Sequence, residues 1–470
     1  MKKRLNKDIN KTSEIVLIIS ILSIFFIAMF LASGFTSPLY PYYFGGDSAI
    51  FSLIGKGIIE GKILYKDLFD HKGPIMFFIQ AIGYCISGHL GIFFVQCIFG
   101  AINIIFLYLI WKEIRKKEEK LYIIDLIAIF IAGYSIFFYT FEKGNLTEEF
   151  SLPFISGSIY FFIRYAMNVD KNTKHPYSYS MLYGAFIAIL AFIRMNNATT
   201  IFAGILSIII YLIYKKEFKN LFINMFFGIL GCAIVTIPII LYFYCNDALY
   251  DMFYATFIYN FKYAGTASHQ SIFMDFEKYI ILYAPLIVSS IFGTVNILKK
   301  NNNRKIEFAD ILIGIIILTN FILLIITNKY SHYFTIFIPI YMLVISKYWT
   351  FNIKAINTWI IIICIILNIN MVKESVKETL VANYEYEYNQ TRHKIIQKDI
   401  NNNIPDQEKD NVIGYNISAE YYWHTGLIPC YKYYTFQEWW SESDPKIQID
   451  FMKYLREKRP LWLLASCIFL

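Results

Sequence analysis

Ile75-Met-Phe-Phe-Ile-Gln-Ala-Ile-Gly-Tyr-Cys-Ile-Ser87 decides how the chain is threaded. The stretch is apolar enough for hydrocarbon, but it holds thirteen residues, and roughly 17 are needed to cross comfortably. Pro74 stands where the first turn of a helix tolerates a missing N–H. The stretch therefore reads as a short interfacial or re-entrant helix. Counting it as a span would invert every loop after it, so the basic residues test the choice. With it excluded, the start Met1-Lys-Lys-Arg, the cluster Lys112 to Lys120, Lys171/Lys174, Lys215/Lys216/Lys219, Lys299/Lys300/Arg304/Lys305 and Lys347/Lys354 all fall on one face. That is the bias cytoplasmic loops carry.

Outward from there, Ile15 to Gly34 is the first span. It follows a basic start as a secretory signal would, but its apolar run is longer than a signal core and ten further candidates follow. These are 91–111, 122–140, 150–166, 179–193, 197–214, 221–244, 278–298, 309–326, 333–347 and 355–372. The expected architecture is an all-α polytopic membrane domain of about eleven helices over residues 1–372, N-terminus in the cytoplasm. Residues 35–90 form an extracytoplasmic first loop with short interfacial helices, and 373–470 a small extracytoplasmic C-terminal domain.

Composition agrees. Of 470 residues, 57% are hydrophobic and 17% charged, too few charges to coat soluble domains of that size. The net charge of +8 is not a nucleic-acid footprint. Residues 1–370 hold 31 Lys/Arg against 21 Asp/Glu, mostly between apolar runs, and the last hundred hold 12 against 14. Seven cysteines form no close pair and no CxxC, and most lie inside apolar runs, so they say almost nothing about metal or redox chemistry. Neither glycine fingerprint of nucleotide binding occurs.

Some charges are not needed for topology. Asp47 follows Gly45-Gly46 just outside the first span; it can act as a general base on a hydroxyl or cap the helix beginning at Ser48. Asp67, Asp70, His71 and Lys72 precede the short apolar helix. The carboxylates and imidazole can bind a divalent cation and the lysine can meet phosphate, or the group is a solvated turn ahead of Pro74. Glu148 and Glu149 stand at the start of a span, where the helix dipole favours them anyway. Arg194, ahead of Asn196, lies between two spans on the face that lacks basic clusters. Lys329 with Tyr330 and His332, and Lys262 with Tyr263, repeat that placement. Three such cations can converge on a lipid-linked phosphate or make ordinary headgroup contacts.

In the combination of a first span, Gly46-Asp47-Ser48, Tyr65-Lys-Asp-Leu-Phe-Asp-His-Lys-Gly-Pro74, Gly144-Asn-Leu-Thr-Glu-Glu149 and Arg194 with Asn196/Asn197, the first 370 or so residues resemble the bacterial polytopic glycosyltransferases of the GT-C superfamily, related to the protein mannosyltransferases and the lipid A aminoarabinose transferases. The resemblance implies an enzyme of the bacterial cytoplasmic membrane that takes a sugar from a polyprenyl-phosphate donor on the outer face, inverting the anomeric carbon. The acceptor would be a surface glycan, a teichoic acid, a lipid-linked glycan or a protein. It implies that Asp47 is the base; many relatives carry Asp-Glu there, whereas Ser48 follows here, so a second acid would come from Glu148 or Glu149. Lys72, Arg194, Lys329 and Lys262 would hold the donor phosphate. Asp67, Asp70, His71, Asn196, Tyr330 and His332 would shape the site. Metal use varies across the superfamily, which leaves a divalent cation open. The rival reading is a transporter or flippase for lipid-linked saccharides, since spans and buried charges serve either.

Overall fold

The computed structural model describes residues 2–40, 45–115, 130, 133–134, 137–138, 140–169, 173–266, 307–326, 330–349, 356–388 and 392–465. The expected span 278–298, most of 122–140, and Lys329 lie outside them.

The decisive stretch folds as a helix of its own. Helical structure runs over Pro74–Arg115, but Ser87 (φ −160°, ψ 41°) and Gly88 (φ 57°, ψ −137°) break it. An unbroken helix of that length would reach about 63 Å, twice a hydrocarbon core. The break also folds the chain back on itself: a Cβ on Gly91 would lie 1.9 Å from the Gly83 carbonyl oxygen. Only glycine allows the short helix before the break to lie this close against the long one after it.

Elements are numbered in chain order: α1 Lys2–Ala32, α2 Gly46–Ile59, α3 Pro74–Arg115, α4 Thr147–Ala166, α5 Tyr177–Arg194, α6 Thr199–Tyr214 and α7 Phe218–Cys245. A short α8, Leu249–Phe253, passes through a π-helical turn into α9, Tyr259–Thr266. Then come α10 Phe308–Ile326, a 3₁₀ turn at Ser331–Phe337 leading into α11 Ile338–Tyr348, and α12 Ile356–Tyr388. Among the described residues, four helical stretches are long and apolar enough to cross a membrane: Glu14–Ala32, Pro74–Arg115, Tyr177–Tyr214 and Phe218–Cys245. The third is divided as expected, by the 3₁₀ turn Met195–Ala198 after Arg194. The protein is a mostly helical membrane protein.

The helix α12 runs sixteen residues past its expected end at 372. Hydropathy reads only the part that meets lipid; the continuation, Lys373-Glu-Ser-Val-Lys-Glu-Thr, is made largely of good helix formers. Its Thr379 is buried at Gly34, where a Cβ would lie 2.8 Å from the threonine methyl. α5 and α7 cross just as closely, Gly184 on the Gly228 carbonyl and Gly231 on that of Met181. Small residues at such crossings let backbones meet where no hydrophobic force separates helix from lipid.

The C-terminal part mixes short helices with two strands. β1 (Val412–Tyr415) and β2 (Trp462–Ala465) pair in parallel, Val412 opposite Trp462. Around them lie α13 Arg392–Asn403, α14 Glu420–Thr425, α15 Glu438–Ser443 and α16 Pro445–Lys458. Its core is continuous with that of the first loop: Val412, Tyr434, Trp440 and Phe451 belong to one buried cluster with Phe69, Phe77, Phe243 and Tyr259. The rest of the bundle has a core of its own around Ile155, Ile201, Leu312 and Leu343.

Candidate functional site

The ends of these helices enclose a cavity of about 860 Å³, within the range that holds small-molecule ligands. Its first wall is the start of α2. Gly45 takes a left-handed φ of 42° at the cap position, and a Cβ there would lie 2.2 Å from the Phe35 ring. Helix α2 therefore starts at Gly46, earlier than the sequence suggests, and Asp47 sits inside its first turn rather than capping it. Asp47 lines the cavity with its side chain exposed, while Ser48 is fully buried.

The second wall is Asp70-His71-Lys72-Gly73. The Lys72 N–H donates to Asp70 Oδ1 at 2.8 Å, and the Lys72 ammonium lies 2.8 Å from His71 Nε2. The loop is tied down from three sides: Tyr65 Oη donates to the Lys72 carbonyl at 2.6 Å, Asn260 to that of His71 at 2.6 Å, and the Gly73 N–H to Ile193 at 3.2 Å. Burial pushes the Asp70 carboxyl up to about 6; Lys72 pulls against this and Asp47 adds to it. Burial likewise holds the His71 imidazole well below its usual value, helped by Lys72 and Arg194.

The third wall is Arg194, at the end of α5. Its guanidinium bonds the Glu148 carboxylate and stands over the Tyr333 ring, 3.7 Å from centroid to guanidinium carbon. Glu148 is 2% exposed and also accepts from Thr147 Oγ1 at 2.9 Å. Asn196 lines the cavity beside Arg194. The fourth wall joins Glu142 to His332: Glu142 accepts from Ser331 Oγ and pairs with His332 Nδ1 at 2.8 Å, and Tyr330 stacks on the His332 ring. Burial raises the Glu142 carboxyl, but the bonds from His332 and Ser331 outweigh it and leave the group below its usual range. The fifth wall is Tyr263 and, from the C-terminal part, Trp439.

Asp47, Asp70, His71, Lys72, Arg194, Asn196, Tyr330 and His332 are thus brought to one cavity, and Glu148 stands behind Arg194. Three expected residues are placed elsewhere. Glu149 is 3% exposed inside a polar network, accepting from Gln96 Nε2 at 3.0 and 3.1 Å and from the Asn145 N–H at 2.9 Å. Asn145 in turn donates to Ser48 Oγ at 2.9 Å, so the Glu149 network is tied to the helix that carries Asp47 and does not line the cavity. Asp67 accepts from the Ile63 N–H at 2.7 Å and closes a turn. Lys262 pairs with Asp444 at 2.5 Å, which engages its charge with the C-terminal part.

Asp67, Asp70 and His71 do not form a cation site: the Asp67 carboxylate is turned to its own loop, and an ammonium occupies His71 Nε2. Among the described residues no three His, Cys, Asp or Glu side chains gather to hold a metal ion.

Sequence reasoning named His332 but not its partner, because Glu142 is 190 residues away. The run Glu142, Lys143, Gly144, Asn145 is all at positive φ, a strained backbone held only where its surroundings insist and one the sequence does not display. Trp439 gave no signal at all.

Fold and site together define a helical membrane protein with a charged, aromatic-lined cavity at one end of its bundle. Residues 3–358 match the family model described as "Putative competence-induced protein Ccs4 N-terminal domain", and the chain belongs to that family. No curated protein and no solved structure matches it.

Proposed function

We propose that the protein is a membrane glycosyltransferase that moves a sugar from a polyprenyl-phosphate donor to a hydroxyl of a cell-envelope acceptor. One observation carries the reading: an exposed carboxylate, Asp47, and two cations, Lys72 and Arg194, line the same cavity. The sequence resemblance to the GT-C glycosyltransferases, carried by the same residues, points the same way.

In this mechanism the acceptor hydroxyl lies against Asp47. As its oxygen bonds to the anomeric carbon, the carboxylate takes its proton and the bond from that carbon to the phosphate oxygen breaks. The phosphate leaves already ionised, so it needs a counter-charge rather than an acid. Arg194, fixed by Glu148 and Tyr333, and Lys72 supply that charge. A single displacement inverts the anomeric centre.

Orientation follows from charge. Lys112 and Arg115 end α3, Lys215 follows α6, and Lys347 lies in the last turn of α11; the cavity lies at the opposite ends of these helices. With the basic end in the cytoplasm, the cavity faces outward, where a lipid-borne sugar is presented and nucleotide sugars are not.

The test is a panel of polyprenyl-phosphate sugars in proteoliposomes with membrane extract as acceptor. Appearance of bare polyprenyl phosphate together with a new glycosidic product supports the proposal. Translocation of intact donor lipid with no product overturns it in favour of a flippase.

A further inference from the structure

Among the described residues lining the cavity, Trp439 alone comes from beyond residue 358, where the family match ends. It lies on α15, a helix of six residues. So short a helix does not hold its place by itself, yet this one is anchored at both ends and through its middle. Glu438 accepts from Tyr415 Oη at 2.9 Å. Trp440 is fully buried, edge-on to Phe69 at 5.3 Å, and its carbonyl accepts from Tyr259 Oη at 3.4 Å. Asp444, just past the helix, accepts from Lys262 at 2.5 Å and from Tyr254 Oη at 2.6 Å.

All of that fixes the neighbours of Trp439 and leaves its own ring half-buried at the cavity. The ring meets His71 at 5.5 Å and 84°, and Tyr263 at 5.7 Å and 60°. Its indole N–H makes no hydrogen bond among the described residues. A rigid aromatic ring with a free donor, set among imidazole, phenol, ammonium and carboxylate, is a poor berth for a lipid tail. It suits a pyranose, whose axial C–H face is electron-poor because every ring carbon bears oxygen, and whose hydroxyls accept from an N–H.

We propose that Trp439 is the platform on which the sugar of the donor lipid stacks, so that the C-terminal part, outside the family match, selects which sugar is accepted. This rests on the glycosyl-transfer reading. The consequence is a division of labour: Arg194 and Lys72 grip the phosphate of any polyprenyl lipid, and Trp439 responds only when that phosphate carries a sugar.

The experiment is equilibrium binding by the full chain in nanodiscs, with bare undecaprenyl phosphate and undecaprenyl phosphate bearing glucose, galactose, mannose or N-acetylglucosamine as probes. Wild type is expected to bind at least one glycosylated lipid more tightly than the bare one. Trp439→Ala should weaken that lipid about tenfold and leave bare undecaprenyl phosphate within about twofold, while Trp439→Phe, which keeps a ring and guards against misfolding, retains most of the preference. Loss of both affinities alike, or an unchanged preference in Trp439→Ala, overturns the platform while leaving the transfer reading standing. A preference that depends on Trp439, without product from any acceptor, keeps the platform and overturns transfer. A wild type that binds all five lipids equally also overturns the platform and leaves transfer to the product assay.

Discussion

Arg194 is gripped from two directions: its guanidinium bonds Glu148 and stands over the Tyr333 ring, its central carbon 3.7 Å from the ring centroid. The arginine side chain is 19% exposed and that of the glutamate 2%. A buried carboxylate on one side and an aromatic ring on the other hold the guanidinium in one geometry at the cavity wall.

Breaking the pair from one side leaves Glu148 buried and uncompensated. Arg194→Met should cost about 3–5 kcal/mol of stability, read as a fall in the thermal midpoint in detergent. The double variant Arg194→Met/Glu148→Met should recover most of that loss and still fail to bind polyprenyl phosphate. Arg194→Lys keeps the charge but not the planar fork or the ring contact, so it should fold well and bind weakly. Equal midpoints for the single and double variants would contradict the pairing.

Asp70 makes stability depend on pH. The unfolded chain gives up this proton near 3.8 and the folded chain near 6, because the carboxyl is buried. Between those values the folded state holds more protons, so stability falls as pH rises, by about 3 kcal/mol across the window. Asp70→Asn still accepts the Lys72 N–H but lacks the slope. Unfolding curves should therefore show the variant gaining on wild type from pH 4 to 7, and parallel curves would contradict the assignment.

Glu149 separates support from chemistry. Glu149→Gln turns one acceptor into a donor facing the Gln96 amide, at a cost of about 1–3 kcal/mol. The thermal midpoint should fall while the pH dependence of transfer stays that of wild type. A shifted pH profile would return Glu149 to the reaction.

How much of this could be read from the chain depends on the range of the forces involved. The short helix before Ser87, the break at Arg194 and the gathering of Asp47, Asp70, Lys72 and Arg194 were legible, because hydropathy, glycine and unexplained charge act over a few residues. The start of α2 was misplaced by the cap at Gly45, which depends on the Phe35 ring beside it. Glu149 and Lys262 looked like site residues because sequence displays a charge without its partner; Gln96 and Asp444 lie 53 and 182 residues away. The continuation of α12 past 372 carries no hydropathy signal, and the parallel pairing of Val412 with Trp462 joins segments fifty residues apart.

Lys262 now reads as a clasp. Burial raises the Asp444 carboxyl, but the bonds from Lys262 and Tyr254 outweigh it and hold the group below its usual value. The contribution is therefore present above the unfolded pKa near 3.8 and lost as pH falls through the folded one. Lys262→Met should speed hydrogen exchange over residues 438–458 and leave polyprenyl phosphate affinity within about twofold. Unchanged exchange with weakened lipid binding would place Lys262 on the phosphate instead.

As the proposed base, Asp47 is tested by single-turnover transfer with wild type and Asp47→Asn in proteoliposomes loaded with a donor both bind. Product formation should fall by about a hundredfold or more in the variant, with donor affinity and thermal midpoint unchanged. Transfer at the wild-type rate by Asp47→Asn would rule Asp47 out as the base.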